Sequence, residues 1–256
     1  MVKPKKHLGQ HFLKDKNIAG KIADCLSGNY HTVCEIGPGT GILTSALLER
    51  KELEKLVLVE IDEESVDYLQ AHFSDPRLEI LQADFLKLDV QKIASGPFAL
   101  IGNYPYNISS QIFFKALENR DRIPEIAGMI QKEVAERIIA KPGTKTYGIL
   151  SVLLQTWYDI SYCFTVNEQV FFPPPKVKSA VIKMVRNQTK QLDCDEKLYV
   201  QVVKTAFNQR RKTLRNSLKQ WMTESIKSSK LLNRRPEQLT TEEFFILTKM
   251  IEKELL

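Results

Sequence analysis

Residues 35–41 read Glu-Ile-Gly-Pro-Gly-Thr-Gly, and they join a β-favouring run at 32–36 to a helical pattern near 40–50. Three glycines in five residues permit a tight turn and let backbone approach a ligand closely. Strand, glycine turn and helix in that order open a βαβ unit, whose next strand comes to lie parallel to the first. The rhythm continues along the chain. A strand is predicted at 56–60 and a helix near 63–73, then strands at 78–81 and 99–101, a helix near 108–118 and a strand near 126–131. This is an α/β pattern, a mostly parallel sheet with helices on both faces. Two further runs, 162–166 and 180–185, have no long helix between them and predict an antiparallel hairpin with a long connection.

A polar stretch at 187–196 breaks the alternation, and helical periodicity takes over. We therefore expect two domains, residues 1–186 and a small all-α domain at 187–256. Residues 196–222 read as one long amphipathic segment. Phe207, Leu214, Leu218 and Trp221 fall on one stripe, Arg211, Arg215 and Lys219 on another, and core packing is the reading for Phe207 and Trp221. A last helix is predicted near 240–254, capped by Thr240 or Thr241. Charge follows the same division. The last 70 residues hold 14 Lys/Arg against nine Asp/Glu, while the preceding 186 hold 23 against 22. A near-neutral body with a basic tail points to a polyanionic partner, or to a solvated surface with none.

Several classes are disfavoured. The cysteines, Cys25, Cys34, Cys163 and Cys194, lack metal-ligand spacing, and the four histidines form no ligand pattern, so no metal is expected. No apolar run approaches the ~18 residues of a membrane span. The start, MVKPKKHLGQHFL, is basic but has no apolar core of a secretory signal. Reduced thiols in a cytoplasmic protein are the expectation.

The glycine spacing is G-x-G-x-G, which does not meet the G-x-G-x-x-G dinucleotide fingerprint. Glu60 closes the second strand, where a carboxylate can accept from both ribose hydroxyls or simply be a surface acid. Asp84, after the third strand, can accept from an adenine amino group or cap the next segment. An adenosine-containing ligand across the carboxyl ends of the strands fits both acids. After the fourth strand comes Asn103-Tyr104-Pro105-Tyr106. An exocyclic amine is a poor nucleophile, because its lone pair is delocalised into the ring. Carbonyl oxygens that accept its N–H groups favour the reactive, pyramidal form. Asn103 offers one, the Tyr104 or Pro105 backbone another, and Tyr106 offers a ring on which a base can stack.

EIGPGTG, VEID, QADF and NYPYNIS, in this order, resemble the class I S-adenosylmethionine-dependent methyltransferases, whose fold is Rossmann-like with a mostly parallel seven-stranded sheet. GQHFL at 9–13, FFPPPKVKSAV at 171–181 and NQRRKTLRN at 208–216 narrow the resemblance to the rRNA adenine dimethyltransferases, and within them to the small-subunit branch. The resemblance implies S-adenosylmethionine as methyl donor and 16S rRNA as partner. The implied reaction is dimethylation at N6 of two adjacent adenines in the 3′-terminal hairpin, during small-subunit assembly, by a monomer without metal. It implies cofactor contacts at His11, Leu13, Gly37, Glu60, Asp84 and Asn103, with Gly39 and Gly41 shaping the turn. It implies that Asn103 orients the amine while Tyr106 and Phe171 cover the two faces of the base. Lys176, Arg210, Arg211, Lys212 and Arg215 would meet RNA phosphate. Plain packing remains open for Phe171, Phe172 and His11, and a solvated face for the basic cluster. The chain departs from the family's usual Leu at Tyr104, whose larger ring could alter how the base enters.

Three rivals are kept. One is a large-subunit rRNA adenine methyltransferase of the antibiotic-resistance type. Another is a non-catalytic RNA-binding assembly or transcription factor on the same fold. The third, a nicotinamide dehydrogenase, is disfavoured by the glycine spacing.

Overall fold

The fold is that of a computed structural model describing residues 2–255 of the 256. The chain forms two compact units, one from residues 1–135 and 160–186, the other from 136–159 and 187–256. The boundary expected at 187 is thus one of the crossing points, and residues 136–159 fall to the helical unit.

The first unit is built on a sheet. Its strands are β2 (Thr32–Ile36), β3 (Lys55–Glu60), β4 (Leu78–Gln82), β5 (Ala99–Asn103), β6 (Glu125–Gln131), β7 (Tyr158–Val166) and β9 (Ser179–Arg186). They lie in the order β4-β3-β2-β5-β6-β9-β7. The first five pair in parallel, and β9 runs antiparallel to β6. The two late runs are thus neighbours in the sheet. A two-residue strand, β1 (Phe12–Leu13), pairs separately with β8 (Phe171–Phe172), Phe12 opposite Phe172 and Leu13 opposite Phe171.

Helices connect the parallel strands: α2 (Ile42–Leu48), α3 (Glu63–His72) and α4 (Ser109–Glu118), with α1 (Lys16–Ala23) preceding β2. The strands read as unbroken apolar runs because both faces are covered; Leu56, Leu58, Leu100 and Ile101 have no exposed surface. α1 escaped the sequence reading. Its start is fixed by Asp15, whose carboxylate accepts from the Asn17 and Ile18 N–H groups. After β2 the chain passes to β3 on one side, and β5 lies on the other. Ligands of open α/β sheets bind at such a reversal, beyond the carboxyl ends of the strands.

The second unit packs α6 (Ile149–Trp157), α7 (Glu196–Asn208) and α10 (Thr241–Leu255), with α5 (Lys132–Ile138) leading into it. Trp157 meets Tyr199 edge-on at 5.9 Å, and Phe207 lies between Tyr147 and Phe244. α10 begins with a reciprocal cap: Glu243 N–H donates to Thr240 Oγ1, and Thr240 N–H to the Glu243 carboxylate. The long helix expected over 196–222 is broken. α7 stops at Asn208, and the chain re-enters as the single turn α8 (Leu214–Ser217), then a 3₁₀ turn at Lys219–Trp221. No glycine or proline marks the break. A tertiary bond, Leu214 N–H to the Arg234 carbonyl at 2.8 Å, takes the place of a helical one. Leu214 and Leu218 are still fully buried, but Trp221 is only half-buried and is not a core residue. A further short helix, α9 (Glu224–Lys227), follows. Among the described residues no helix is long and apolar enough to cross a membrane.

Candidate active site

The carboxyl ends of β2, β3, β4 and β5 surround a cavity of about 280 Å³, closed on one side by residues 7–12. Gly37 and Gly39 line it, with φ of +64° and +57°, a region that L side chains rarely adopt. A Cβ on Gly39 would lie 2.8 Å from the Phe12 ring, so the glycine lets this ring seat against the loop. Gly41 stands outside the cavity. It starts α2 with φ +76°, and a Cβ there would be 2.4 Å from Phe73. It forms the turn into α2.

Glu60 ends β3 and is 3 % exposed. Its carboxylate accepts from the N–H groups of Gly39 (3.1 Å), Ile61 (2.9 Å) and Asp62 (2.9 Å). Burial pushes its pKa up against these donors, which pull it down. Three of about four acceptor positions are filled, leaving capacity for one hydroxyl. Asp84 also lines the cavity. One of its oxygens accepts from Leu86 N–H at 2.9 Å, and among the described residues the other has only the Lys87 ammonium, at 3.8 Å. Capping and ligand binding are therefore compatible, one oxygen for each.

Asn103 lies at the end of β5, and its side-chain N–H donates to the His11 carbonyl at 2.8 Å. His11 Nδ1 pairs with the Pro173 carbonyl at 2.8 Å. The His11 ring stacks on Tyr106, centroids 5.5 Å apart and planes inclined by 28°. Tyr106 Oη meets Ser179 Oγ at 2.5 Å, and burial raises the phenol pKa. The glycine loop, Glu60, Asp84, Asn103, Tyr106 and His11 are thus brought to one cavity from five separate chain segments.

Four further positions are placed as follows. Phe171 is 1 % exposed and belongs to the core, because its place opposite Leu13 turns it inward; the exposed ring of that segment is Phe172, at 54 %. Leu13, 5 % exposed, packs in the core and lines a small adjoining pocket together with Gly37 and Asn103. Tyr104 borders the cavity, is 1 % exposed, and its hydroxyl donates to the Ala127 carbonyl at 2.9 Å. Arg215 is engaged within its own unit, donating to the Lys227 carbonyl (2.9 Å) and to Asn233 Oδ1 (3.4 Å). Arg210 donates to the Thr144 carbonyl at 3.3 Å, while Lys176, Arg211 and Lys212 are exposed.

Other residues of the site carried no sequence signal. Lys5 and Gln10 bind the buried Asp62 and so hold residues 5–10 beside the cavity. Burial works against the Asp62 charge, but its bonds from Lys5, Ser65 and Gln10 keep its pKa below the usual range. Lys115 donates to the Leu86 and Leu88 carbonyls and stands over the Phe85 ring, fixing the loop that carries Asp84. Glu35, 1 % exposed, accepts from Thr44 Oγ1 at 2.7 Å beneath the glycine loop, and burial pushes its carboxyl up to about 8.

The residues present suit S-adenosylmethionine. The nearest atoms to a Cβ on Gly37 would be Pro105 carbons at 3.9 Å, so the loop leaves room for a ligand against backbone. Carboxylates at Glu60 and Asp84 suit the hydroxyl and amino donors of an adenosine.

A family model described as "Ribosomal RNA adenine dimethylase" matches residues 1–253. The chain is 59 % identical to the ribosomal RNA small subunit methyltransferase A of Parabacteroides distasonis, over 100 % of this chain and 96 % of that one. It is 56 % identical to the protein of the same name from Flavobacterium johnsoniae, over 98 % and 97 %. Among solved structures, a dimethyladenosine transferase from Plasmodium falciparum superposes with a TM-score of 0.81 over 96 % of this chain and 99 % of that one, at 24 % identity. The 23S rRNA methyltransferase ErmE does so with 0.66 over 93 % and 99 %, at 26 % identity. The sheet, the cavity at its reversal point and a match along nearly the whole sequence agree: the chain belongs to the ribosomal RNA adenine dimethylase family.

Proposed function

We propose that the protein dimethylates N6 of two adjacent adenines in the 3′-terminal hairpin of 16S rRNA, acting as a cytoplasmic monomer with S-adenosylmethionine as donor. The observation that carries the reading is Asn103. Its amide nitrogen is committed to the His11 carbonyl, so its oxygen is left as an acceptor beside the glycine loop and Glu60. The small-subunit assignment is supported by the names of relatives at 50–59 % identity.

In this reading Glu60 and Asp84 hold the adenosine part of the donor, and the backbone at Gly37 and Gly39 passes beneath it. Bound there, S-adenosylmethionine supplies a methyl group made electrophilic by a positively charged sulfur. The target adenine leaves its stack and enters the pocket. It lies on the face of Tyr106 that His11 does not cover. Asn103 Oδ1 accepts one amine N–H and a backbone carbonyl of the turn accepts the other. This pulls the lone pair out of conjugation and aims it at the methyl carbon. As nitrogen gains the methyl the sulfur–methyl bond breaks and its electron pair stays on sulfur, leaving a neutral thioether; the amine proton becomes acidic and passes to water, so no strong base is needed. The monomethylated amine keeps one N–H and can be held again for a second transfer from a fresh donor molecule. Lys176, Arg211 and Lys212, all exposed, are available to phosphate, and the basic helical unit serves as the RNA arm.

Purified enzyme with labelled S-adenosylmethionine and ribosomal subunits lacking the modification tests the proposal. Label should appear as N6,N6-dimethyladenosine at two adjacent positions of small-subunit rRNA. Label in large-subunit rRNA instead would favour the rival reading. Cofactor binding without transfer to either RNA would favour a non-catalytic assembly factor.

A further inference from the structure

We infer that Tyr104 is a positioning residue for methyl transfer: its ring and hydroxyl, seated over the paired glycines Gly102 and Gly128, fix the backbone carbonyl that reads the second N–H of the target amine. The inference rests on the reaction proposed above.

Gly102 and Gly128 face each other in register on β5 and β6. The Tyr104 ring occupies the space their missing side chains leave. A Cβ on Gly102 would be 2.8 Å from the Ile36 carbonyl and 3.0 Å from the ring, and one on Gly128 2.4 Å from the Gly102 carbonyl and 2.5 Å from the ring. Phe113 closes the far side edge-on, centroids 5.5 Å apart. Filling this slot would suffice for packing, and an aliphatic side chain could do that. Tyrosine adds a directional bond, from its hydroxyl to the Ala127 carbonyl at 2.9 Å, in a place where an unpaired hydroxyl would be costly. The Tyr104 N–H donates to the Met129 carbonyl at 3.0 Å. Residue 104 is therefore gripped by β6 through two carbonyls two residues apart, one via backbone and one via the end of the side chain.

The carbonyls of the turn are used unequally. That of Pro105 accepts from Ile108 N–H at 3.2 Å, and that of Tyr106 from Ser109 Oγ at 3.4 Å. The Tyr104 carbonyl accepts from no group among the described residues. It directly follows Asn103, whose oxygen takes the first N–H. The first transfer uses both acceptors, because the unmethylated amine has two N–H groups, whereas the monomethylated amine has one N–H left, which Asn103 holds. Loosening residue 104 should slow the first transfer more than the second.

The test compares Tyr104→Leu and Tyr104→Phe with the wild type. Turnover, the ratio of N6-monomethyl to N6,N6-dimethyladenosine, the cofactor Kd by calorimetry and the melting temperature are measured together. Tyr104→Leu should lower kcat about tenfold, the scale of a small misplacement of a reacting group, and lower the ratio of monomethyl to dimethyl product. Its cofactor Kd should stay within about twofold, since the residue does not hold the cofactor. Tyr104→Phe keeps the ring and loses the hydroxyl bond. It should show the same change in product ratio with a loss of about threefold, and it serves if the leucine variant does not fold. A wild-type product ratio in folded variants would overturn the inference. So would turnover and cofactor affinity falling in step with melting temperature, which is the signature of a merely structural role. Absence of methylated adenine from the wild-type reaction would instead remove the methyl-transfer reading, and this inference with it.

Discussion

The Asn103 amide nitrogen lies 2.8 Å from the His11 carbonyl, a bond between residues 92 apart in sequence. It fixes the orientation of the amide, so the oxygen is the atom offered to a substrate. Replacing Asn103 by alanine removes that oxygen and the tie to residues 7–12 together. We expect methyl transfer to fall by a factor on the order of a hundred or more, with RNA affinity within about twofold of wild type. A labelled-methyl assay beside filter binding measures both, and near-normal transfer would sink the role.

Glu60 is the acid on which cofactor binding should depend most. Three backbone N–H groups converge on it at 2.9–3.1 Å. In Glu60→Gln one of those donors faces an amide NH₂ in place of an oxygen, and the glycine loop loses an anchor. Cofactor Kd is expected to rise on the order of tenfold or more, the scale of a lost charge-assisted bond. Calorimetry with S-adenosylmethionine reads it directly. An unchanged Kd would mean that the adenosine is held elsewhere.

Glu35 predicts a pH dependence of stability. Burial raises its carboxyl from the ordinary 4.5 to about 8, partly offset by the bond from Thr44 and reinforced by the nearby Glu60 charge. The folded protein then keeps a proton that the unfolded chain releases above about pH 4.5. The stability tied to this proton is fully present below that pH, declines as pH rises, and is gone above about 8. The slope is at most about 1.4 kcal/mol per pH unit. Glu35→Gln keeps an acceptor for Thr44 and carries no titrating group. Denaturant midpoints of wild type and variant should diverge between pH 5 and 8, the variant gaining as pH rises. Parallel curves would show that Glu35 is ionised in the folded protein.

The sheet was legible because both faces of its strands are buried, which writes them as apolar runs at 32–36, 56–60 and 99–101 that periodicity can find. That the glycine loop, Glu60, Asp84 and Asn103 come to one cavity was legible because a βαβ pattern puts the ends of successive parallel strands side by side. The inward turn of Phe171 was not legible, because a two-residue strand has no pattern of its own. Which of Phe171 and Phe172 points inward is set by pairing with Leu13 and Phe12, residues about 160 positions away. The break after Asn208 was invisible for a similar reason: 196–222 keeps its apolar stripe, and the Arg234 carbonyl that captures Leu214 N–H lies far beyond any local window. Lys5, Gln10 and Asp62 form a latch only in three dimensions, so no spacing announced it.

The basic cluster at 210–215 separates into residues with different jobs, and variants should separate them too. Arg211 and Lys212 are exposed, whereas Arg215 ties its helix to Lys227 and Asn233. Each phosphate contact releases counterions, so its loss weakens binding and flattens the dependence of affinity on salt. The double variant Arg211→Ala, Lys212→Ala should bind 16S rRNA less tightly, with a log–log salt slope shallower by about one to two units and an unchanged melting temperature. Arg215→Ala should instead lower the melting temperature, because two acceptors lose their donor, and change the salt slope little. RNA titrations at three or four salt concentrations, with melting curves for each protein, distinguish the two. An unaltered slope in the double variant would mean that this basic face is only solvated and that RNA is held elsewhere.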